Sequence, residues 1–313
     1  THALTHGMSM TGYLFLDEGE RVILPDLYWG NYRLILANGY GVSFATYPTF
    51  EGEGFNIDGL KNMLLSGKPG KRIVVLNFLN NPTGYTVTDE EARRLRDTLV
   101  EGADAGNDIL VIVDDAYFGL VYKAGVFRES MFSLLASAHE RILAVKLDGP
   151  TKEDYVWGFR VGFLTFGTAR STPAMYQALE AKLGGAIRGT ISNASNLSQA
   201  LLNHAYGTAE YEQQKEEKYQ TLRRRYERIC AILEGHPEYR EVFAPLPFNS
   251  GYFMCVRIAE GLDAEAMRRK LLADYSTGVI AMNGILRLAF SSTPTDKLEE
   301  LFANIYRAGK DLS

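Results

Sequence analysis

Three apolar, β-prone runs that each stop at a polar cluster constrain this chain most. Arg72 to Phe78 runs into Asn80-Asn81-Pro82-Thr83-Gly84, Asp108 to Val113 stops at Asp114-Asp115-Ala116-Tyr117, and Ile142 to Leu147 stops at an Asp-Gly-Pro turn signal followed by Lys152. Near-continuous apolar runs of this length read as central parallel strands, buried on both faces. Helical patterns fall between them. Asn56 to Leu65 places Ile57, Leu60, Met63 and Leu64 at helical spacing, and Thr88 to Glu91 is a Thr-x-x-Glu capping box ahead of an Ala92, Leu95, Leu99 stripe. Two earlier strands, Glu20 to Leu24 and Gly41 to Tyr47, join the series, as does a helix beginning in Leu27 to Tyr32. Strands alternating with helices predict an α/β fold with a doubly wound, mostly parallel sheet. Its polar clusters then sit at the strands' C-terminal ends, where such folds bind ligands.

The rest of the chain fits a second, smaller unit. Arg160 opens another β-prone run, Val161 to Phe166, and Thr172 to Leu183 is helical. Gly184-Gly185-Ala186-Ile187-Arg188-Gly189 reads as a break before a further helix from Ser195 to Ala205. Tyr219, Leu222, Tyr226, Ile229 and Leu233 then form the apolar stripe of a long charged helix that Gly235-His236-Pro237 ends. Strands at Val242, Tyr252 to Ile258 and Ile285 to Phe290, with helices Asp263 to Tyr275 and Thr295 to Ala308, make a small α/β domain. The expected division is a large domain over 1–207, an interdomain helix over 208–234 and a small C-terminal domain over 235–313.

At 313 residues there is room for two cores, and 46% hydrophobic with 23% charged residues is ordinary for a globular protein. A net charge of -5 argues against a nucleic-acid partner. No apolar run approaches the roughly 18 residues a membrane span needs, and no signal peptide is visible. Cys230 falls in a helical pattern and Cys255 in a strand, which suggests buried free thiols and a reducing, cytoplasmic setting. His2 and His6 share a helix face but lack the Glu and the third ligand of a zinc motif, so no metal is expected.

Lys152 just past one strand and Arg160 eight residues on, at the start of the next, can meet over one edge of a sheet. An amine nucleophile beside a fixed cation suits a carbonyl compound that also carries a phosphate. A lone lysine–arginine spacing is usually solvated surface. Asn-Pro-Thr-Gly, then Asp-x-x-Tyr, then lysine with arginine eight after it, in this order, make the chain resemble the class I/II aminotransferases, the fold-type I enzymes of pyridoxal phosphate, over nearly its whole length. The resemblance implies a homodimer that moves an amino group between an amino acid and a 2-oxo acid.

It also implies roles for particular residues. Lys152 carries the cofactor as a Schiff base and moves the substrate's Cα proton, and Asp114 keeps the ring nitrogen protonated, with Asp115 the competing carboxylate. Asn81 and Tyr117 donate to the cofactor's phenolate oxygen, Trp29 stacks on its ring, and Arg160 binds its phosphate. The phosphate turn falls on Ala3, Leu4 and Thr5, where the family's glycines are missing. The family's serine three before the lysine is Gly149 here, so Thr151 supplies the hydroxyl, and Gly158 allows close backbone approach. Arg287 takes the substrate's α-carboxylate, and Arg188, five before Asn193, matches an arginine that reads a distal carboxylate in dicarboxylate-specific members. The resemblance further places a segment of about a hundred residues ahead of Thr1. Two other classes stay open: a ligand-sensing domain of a transcription regulator on the same fold, and a pyridoxal-phosphate lyase.

Overall fold

The structure, a computed structural model, describes all residues 1–313. Its contacts divide the chain into two units: Thr1–Leu79, Val87–Gly119 and Gly125–Thr208 form the first, and Asn80–Thr86, Leu120–Ala124 and Ala209–Ser313 the second. The long helix Ala209–Gly235 falls wholly within the second unit.

The first unit is built on a six-stranded sheet in the order Ser43–Tyr47, Arg21–Pro25, Lys71–Leu76, Asp108–Asp114, Ile142–Asp148, Phe163–Gly167. All neighbours pair in parallel except the last, which runs antiparallel to Ile142–Asp148. Helices Ile57–Leu65 and Asp89–Asp104 cover one face, and Ala3–Phe15 packs with Pro173–Thr190 over the other end of the sheet. The three runs singled out in the sequence are the three central strands, and Val74, Val111, Ile112, Ala144 and Val145 are fully buried because both faces carry helices. The capping box forms in full: Thr88 Oγ1 accepts from Glu91 N–H, and Glu91 Oε2 accepts from Thr88 N–H at 2.7 Å. Such a cap is worth about 1 kcal/mol.

Two readings need correction here. Helix Pro173–Thr190 runs straight through Gly184 and Gly185. A helical glycine costs only about 1 kcal/mol against alanine, and the Thr172 cap, Pro173 at the first position and helix formers on both sides carry the helix across. Arg160 does not open a strand: it is left-handed at φ 54°, Val161 bridges to His2, and pairing starts at Phe163. Gly158 faces open space.

The second unit has a four-stranded antiparallel sheet, ordered Ile280–Met282, Ile285–Leu288, Met254–Ile258, Phe243–Pro245. Helices Ala209–Gly235, Ala264–Tyr275 and Leu298–Lys310 accompany it. Ile232, rather than Leu233, completes the buried stripe of the long helix with Leu222, Tyr226 and Ile229. The strand Ile280–Met282 was not expected. Its hairpin turns on Asn283 and Gly284, both at positive φ, with Met282 opposite Ile285. Asn-Gly is the commonest two-residue hairpin turn, and it stood in the sequence. Both cysteines are free, with Cys255 buried and Cys230 partly so.

Candidate active site

In the first unit, the C-terminal ends of the central strands gather a polar cluster. Asp114 ends its strand with 4% of its surface exposed. Its Oδ2 accepts a hydrogen bond from Tyr32 Oη, and its Oδ1 accepts from Ala116 N–H at 3.1 Å. Asn77, just past the neighbouring strand, donates from Nδ2 to the Asp114 main-chain carbonyl at 2.9 Å. Neither Tyr32 nor Asn77 was singled out in the sequence. Tyr32 lies three residues beyond Trp29, in the turn that opens the next helix, where Tyr32 N–H donates to the Trp29 carbonyl at 2.9 Å, and that spacing was the available signal.

Lys152 sits in a single helical turn, Pro150–Glu153, that follows strand Ile142–Asp148. Its Nζ stands 5.1 Å from the centre of the Tyr117 ring. Burial lowers the Lys152 pKa; the Asp114 carboxylate pulls it up, and the Arg160 guanidinium pushes it down again. Burial raises Asp114, against the Tyr32 hydrogen bond, the Lys152 charge and the Ala116 N–H, which all pull it down. Lys152, Asp114, Tyr117 and Arg160 are thus brought together, as the sequence suggested. Arg160 donates from Nη1 to Trp157 O at 3.3 Å, and Trp29 meets the Tyr32 ring edge-on at 5.5 Å.

The start of helix Ala3–Phe15 adjoins this cluster. Ala3 and Leu4 are buried, Thr5 is exposed, and no side chain caps the helix. Ala3 takes φ 58°, a conformation that glycine adopts without strain. A Cβ on Gly162 would lie 2.6 Å from the Ala3 carbonyl carbon, and one on Gly149 would lie 2.6 Å from Val161 O. That contact explains why a serine cannot stand at Gly149 without a shift. Thr151 Oγ1 is buried with no hydrogen-bond partner. His6 uses both ring nitrogens, accepting from His2 N–H at 3.1 Å and lying 3.0 Å from Thr190 Oγ1.

Asp115 faces a different set of groups. Lys146 Nζ is 4.0 Å from its Oδ2 but 2.7 Å from Asp148 Oδ2. Asp115 Oδ2 and Asp148 Oδ1 are buried without hydrogen-bond partners. Burial pushes Asp115 up to about 7, helped by the charges of Asp114 and Asp148 and opposed by Ser130 and Lys146.

In the second unit, Arg287 Nη1 donates to Asn81 Oδ1 at 3.1 Å, and its guanidinium carbon lies 4.4 Å from the centre of the Phe253 ring. Asn80, not Asn81, closes the turn before Thr83: its Oδ1 accepts from Thr83 N–H at 3.0 Å and Thr83 Oγ1 at 2.8 Å. Asn81 is thereby left to face Arg287. Arg188 lies in the last turn of its helix, exposed, and donates to Ser192 Oγ at 2.7 Å.

The profile of the family described as aminotransferase class I and II matches residues 5–305. An aromatic-amino-acid aminotransferase of Thermococcus litoralis is 31% identical over 152 residues, 48% of this chain and 36% of that protein. The matched stretch is thus little more than a third of that curated relative. Among solved structures, an aminotransferase of Anaerococcus prevotii superposes with a TM-score of 0.86 at 23% identity, covering 99% of this chain and 74% of that one. An α-aminoadipate aminotransferase of Thermus thermophilus, solved with a phosphopyridoxyl-leucine compound, gives 0.78 at 23% identity, covering 100% and 76%. At such identities the likeness to the solved structures speaks for the fold.

Proposed function

Because the chain belongs to the class I and II aminotransferases, a pyridoxal-phosphate-dependent family, we propose that it moves an amino group between an amino acid and a 2-oxo acid, with Lys152 as the reactive amine. The observation that carries this reading is the buried grouping of Lys152, Asp114 and Tyr117 at the strand ends.

The residues present fit pyridoxal phosphate. Thr151 Oγ1 is an orphaned buried hydroxyl, Arg160 is a cation within range of Lys152, and the uncapped helix start at Ala3, Leu4 and Thr5 offers main-chain N–H groups. Hydroxyl, guanidinium and helix N–H groups together suit a phosphate dianion. Trp29 supplies an aromatic face for the ring, and Tyr117 supplies a donor for its phenolate oxygen. When bound, the cofactor supplies an electron sink for the charge left at the substrate's Cα.

The protein's own groups do the rest. Lys152 would hold the cofactor, and its amine would move the proton at the substrate's Cα. Its lowered pKa keeps more of the amine neutral at a given pH, as a nucleophile and a base both require. Asp114 would hold the proton on the cofactor's ring nitrogen. In the second unit, Arg287 has the planar fork that matches a carboxylate, and it faces Asn81. A two-fold partner accords with the exposed Leu197, Trp157 and Phe163, at 71%, 55% and 52% of their surface.

Borohydride reduction of the protein with pyridoxal phosphate, followed by peptide mapping, is expected to find the cofactor on Lys152. Attachment to Lys146, or none, overturns the assignment. Amino transfer to 2-oxoglutarate separates a transaminase from a ligand sensor or a lyase.

For Arg188 we propose a distal-carboxylate role, supported by its exposed guanidinium and its spacing to Asn193. Arg188→Ala is expected to lower kcat/KM for glutamate and aspartate about tenfold or more relative to alanine and phenylalanine, the scale of one charge-assisted pair. An equal loss on all four substrates removes the role.

A further inference from the structure

Asp114 has a partner outside the motif pattern. Tyr32 is 1% exposed, and its hydroxyl is a direct donor to Asp114 Oδ2. The ring cannot swing away easily, since it packs edge-on to Trp29 at 5.5 Å and stacks on Tyr28 at 6.5 Å. With Ala116 N–H on Oδ1 and Asn77 on the main-chain carbonyl, each oxygen of the carboxylate has a donor and the backbone behind it is pinned. Burial and the neighbouring Asp114 push the Tyr32 phenol well above its usual range, so it remains an O–H donor through the neutral range.

We propose that Tyr32 is a positioning residue for Asp114: its hydroxyl fixes the orientation of the carboxylate and keeps it charged in a dry pocket, and so sets the lower pH limit of the site. The proposal rests on the role given to Asp114 above. The charged and titratable groups that bear on Asp114 come from every neighbouring element. Tyr32 reaches it from the helix after strand Arg21–Pro25, Lys152 from the turn after Ile142–Asp148, and Asp115 lies beside it with Tyr117 just beyond. Arg160 bears on Lys152, and Lys146 and Asp148 bear on Asp115. Of these, only Tyr32 gives Asp114 a side-chain hydrogen bond. A donor to the anion favours the charged form, so its loss raises the Asp114 pKa and lets a proton in at higher pH.

The test is Tyr32→Phe, which removes the hydroxyl and keeps the ring. Two quantities are followed from pH 5.5 to 8.5: the dissociation constant of pyridoxal phosphate by equilibrium dialysis, and kcat/KM. The variant is expected to be about tenfold weaker than wild type in both at the acid end and to converge with it at the alkaline end, a hydrogen bond to a charged group being worth one or more pH units. In an Asp114→Asn background the same substitution is expected to leave the pH dependence unchanged, because no carboxylate remains to titrate. A loss equal at all pH values, or the same acid-side loss without the Asp114 carboxylate, overturns the proposal. If Asp114→Asn itself leaves binding and turnover near wild type, the role given to Asp114 falls and this proposal with it. If Asp114→Asn is severe and Tyr32→Phe is flat, only the Tyr32 role falls.

Discussion

Asp114 and Asp115 are sequence neighbours with the same 4% exposure, yet they sit in opposite kinds of surroundings. Asp114 meets directional donors: Tyr32 on one oxygen, Ala116 N–H on the other, and the charge of Lys152 nearby. Asp115 meets a lysine that is already bound to Asp148 and stands 4.0 Å off, and one of its oxygens has no partner. Burial raises the pKa of both. Three attractions oppose it at Asp114, whereas at Asp115 Ser130 and Lys146 oppose it but two further carboxylates reinforce it, and the group ends near 7. Burial alone therefore does not make a carboxylate useful. Fixed donors allow it to hold charge where charge can act on something else.

The sharpest way to break this comparison is to remove each carboxylate in turn. Asp114→Ala is expected to slow transamination about a hundred- to a thousandfold, the scale of one preorganised electrostatic partner, when measured with the cofactor at saturating concentration. Asp115→Ala is expected to keep most of the turnover. Single-turnover kinetics with a Cα-deuterated amino acid reads both, and a reversed pattern means that the carboxylates are misassigned.

A smaller effect concerns stability. The folded-state pKa of Asp115, about 7, lies above the ordinary carboxylate value, so the folded protein binds more protons than the unfolded chain between roughly pH 4 and 7. Its contribution to stability is thus present below that range and is lost as pH rises through 7. Asp115→Asn is expected to flatten this fall and to be the more stable form at pH 8, by at most about 4 kcal/mol, three pKa units' worth. Urea unfolding at pH 5 and pH 8 checks it, and equal differences at the two pH values refute it.

The smallest effect is on Lys152. Because the Arg160 charge depresses the lysine's pKa, Arg160→Gln is expected to raise it and shift the pH profile of amine labelling at Lys152 to the alkaline side.

Much of the fold was legible because strand and helix periods are local. The runs at Arg72, Asp108 and Ile142 became central strands, and the Thr88 cap formed as written. The errors were also local, where a weak signal was overrated or overlooked. Two glycines did not stop helix Pro173–Thr190, and the Asn283-Gly284 turn did announce a hairpin. At the site, Lys152, Asp114, Tyr117 and Arg160 were named from motif order. Tyr32 and Asn77 were not, since their value lies in what they touch.

By itself, the sequence determined the order of strands and helices and placed the reactive residues just beyond strand ends, because side-chain period and turn chemistry act over a few residues. It could not say which neighbours each of two adjacent aspartates would meet. That was decided only when a tyrosine 82 residues away in the chain came within hydrogen-bond reach of Asp114, while Asp115, on the other side of the strand, came to share one lysine with Asp148. Hydrogen bonds and desolvation depend on distances of a few ångströms, and the chain sets those distances only when it packs.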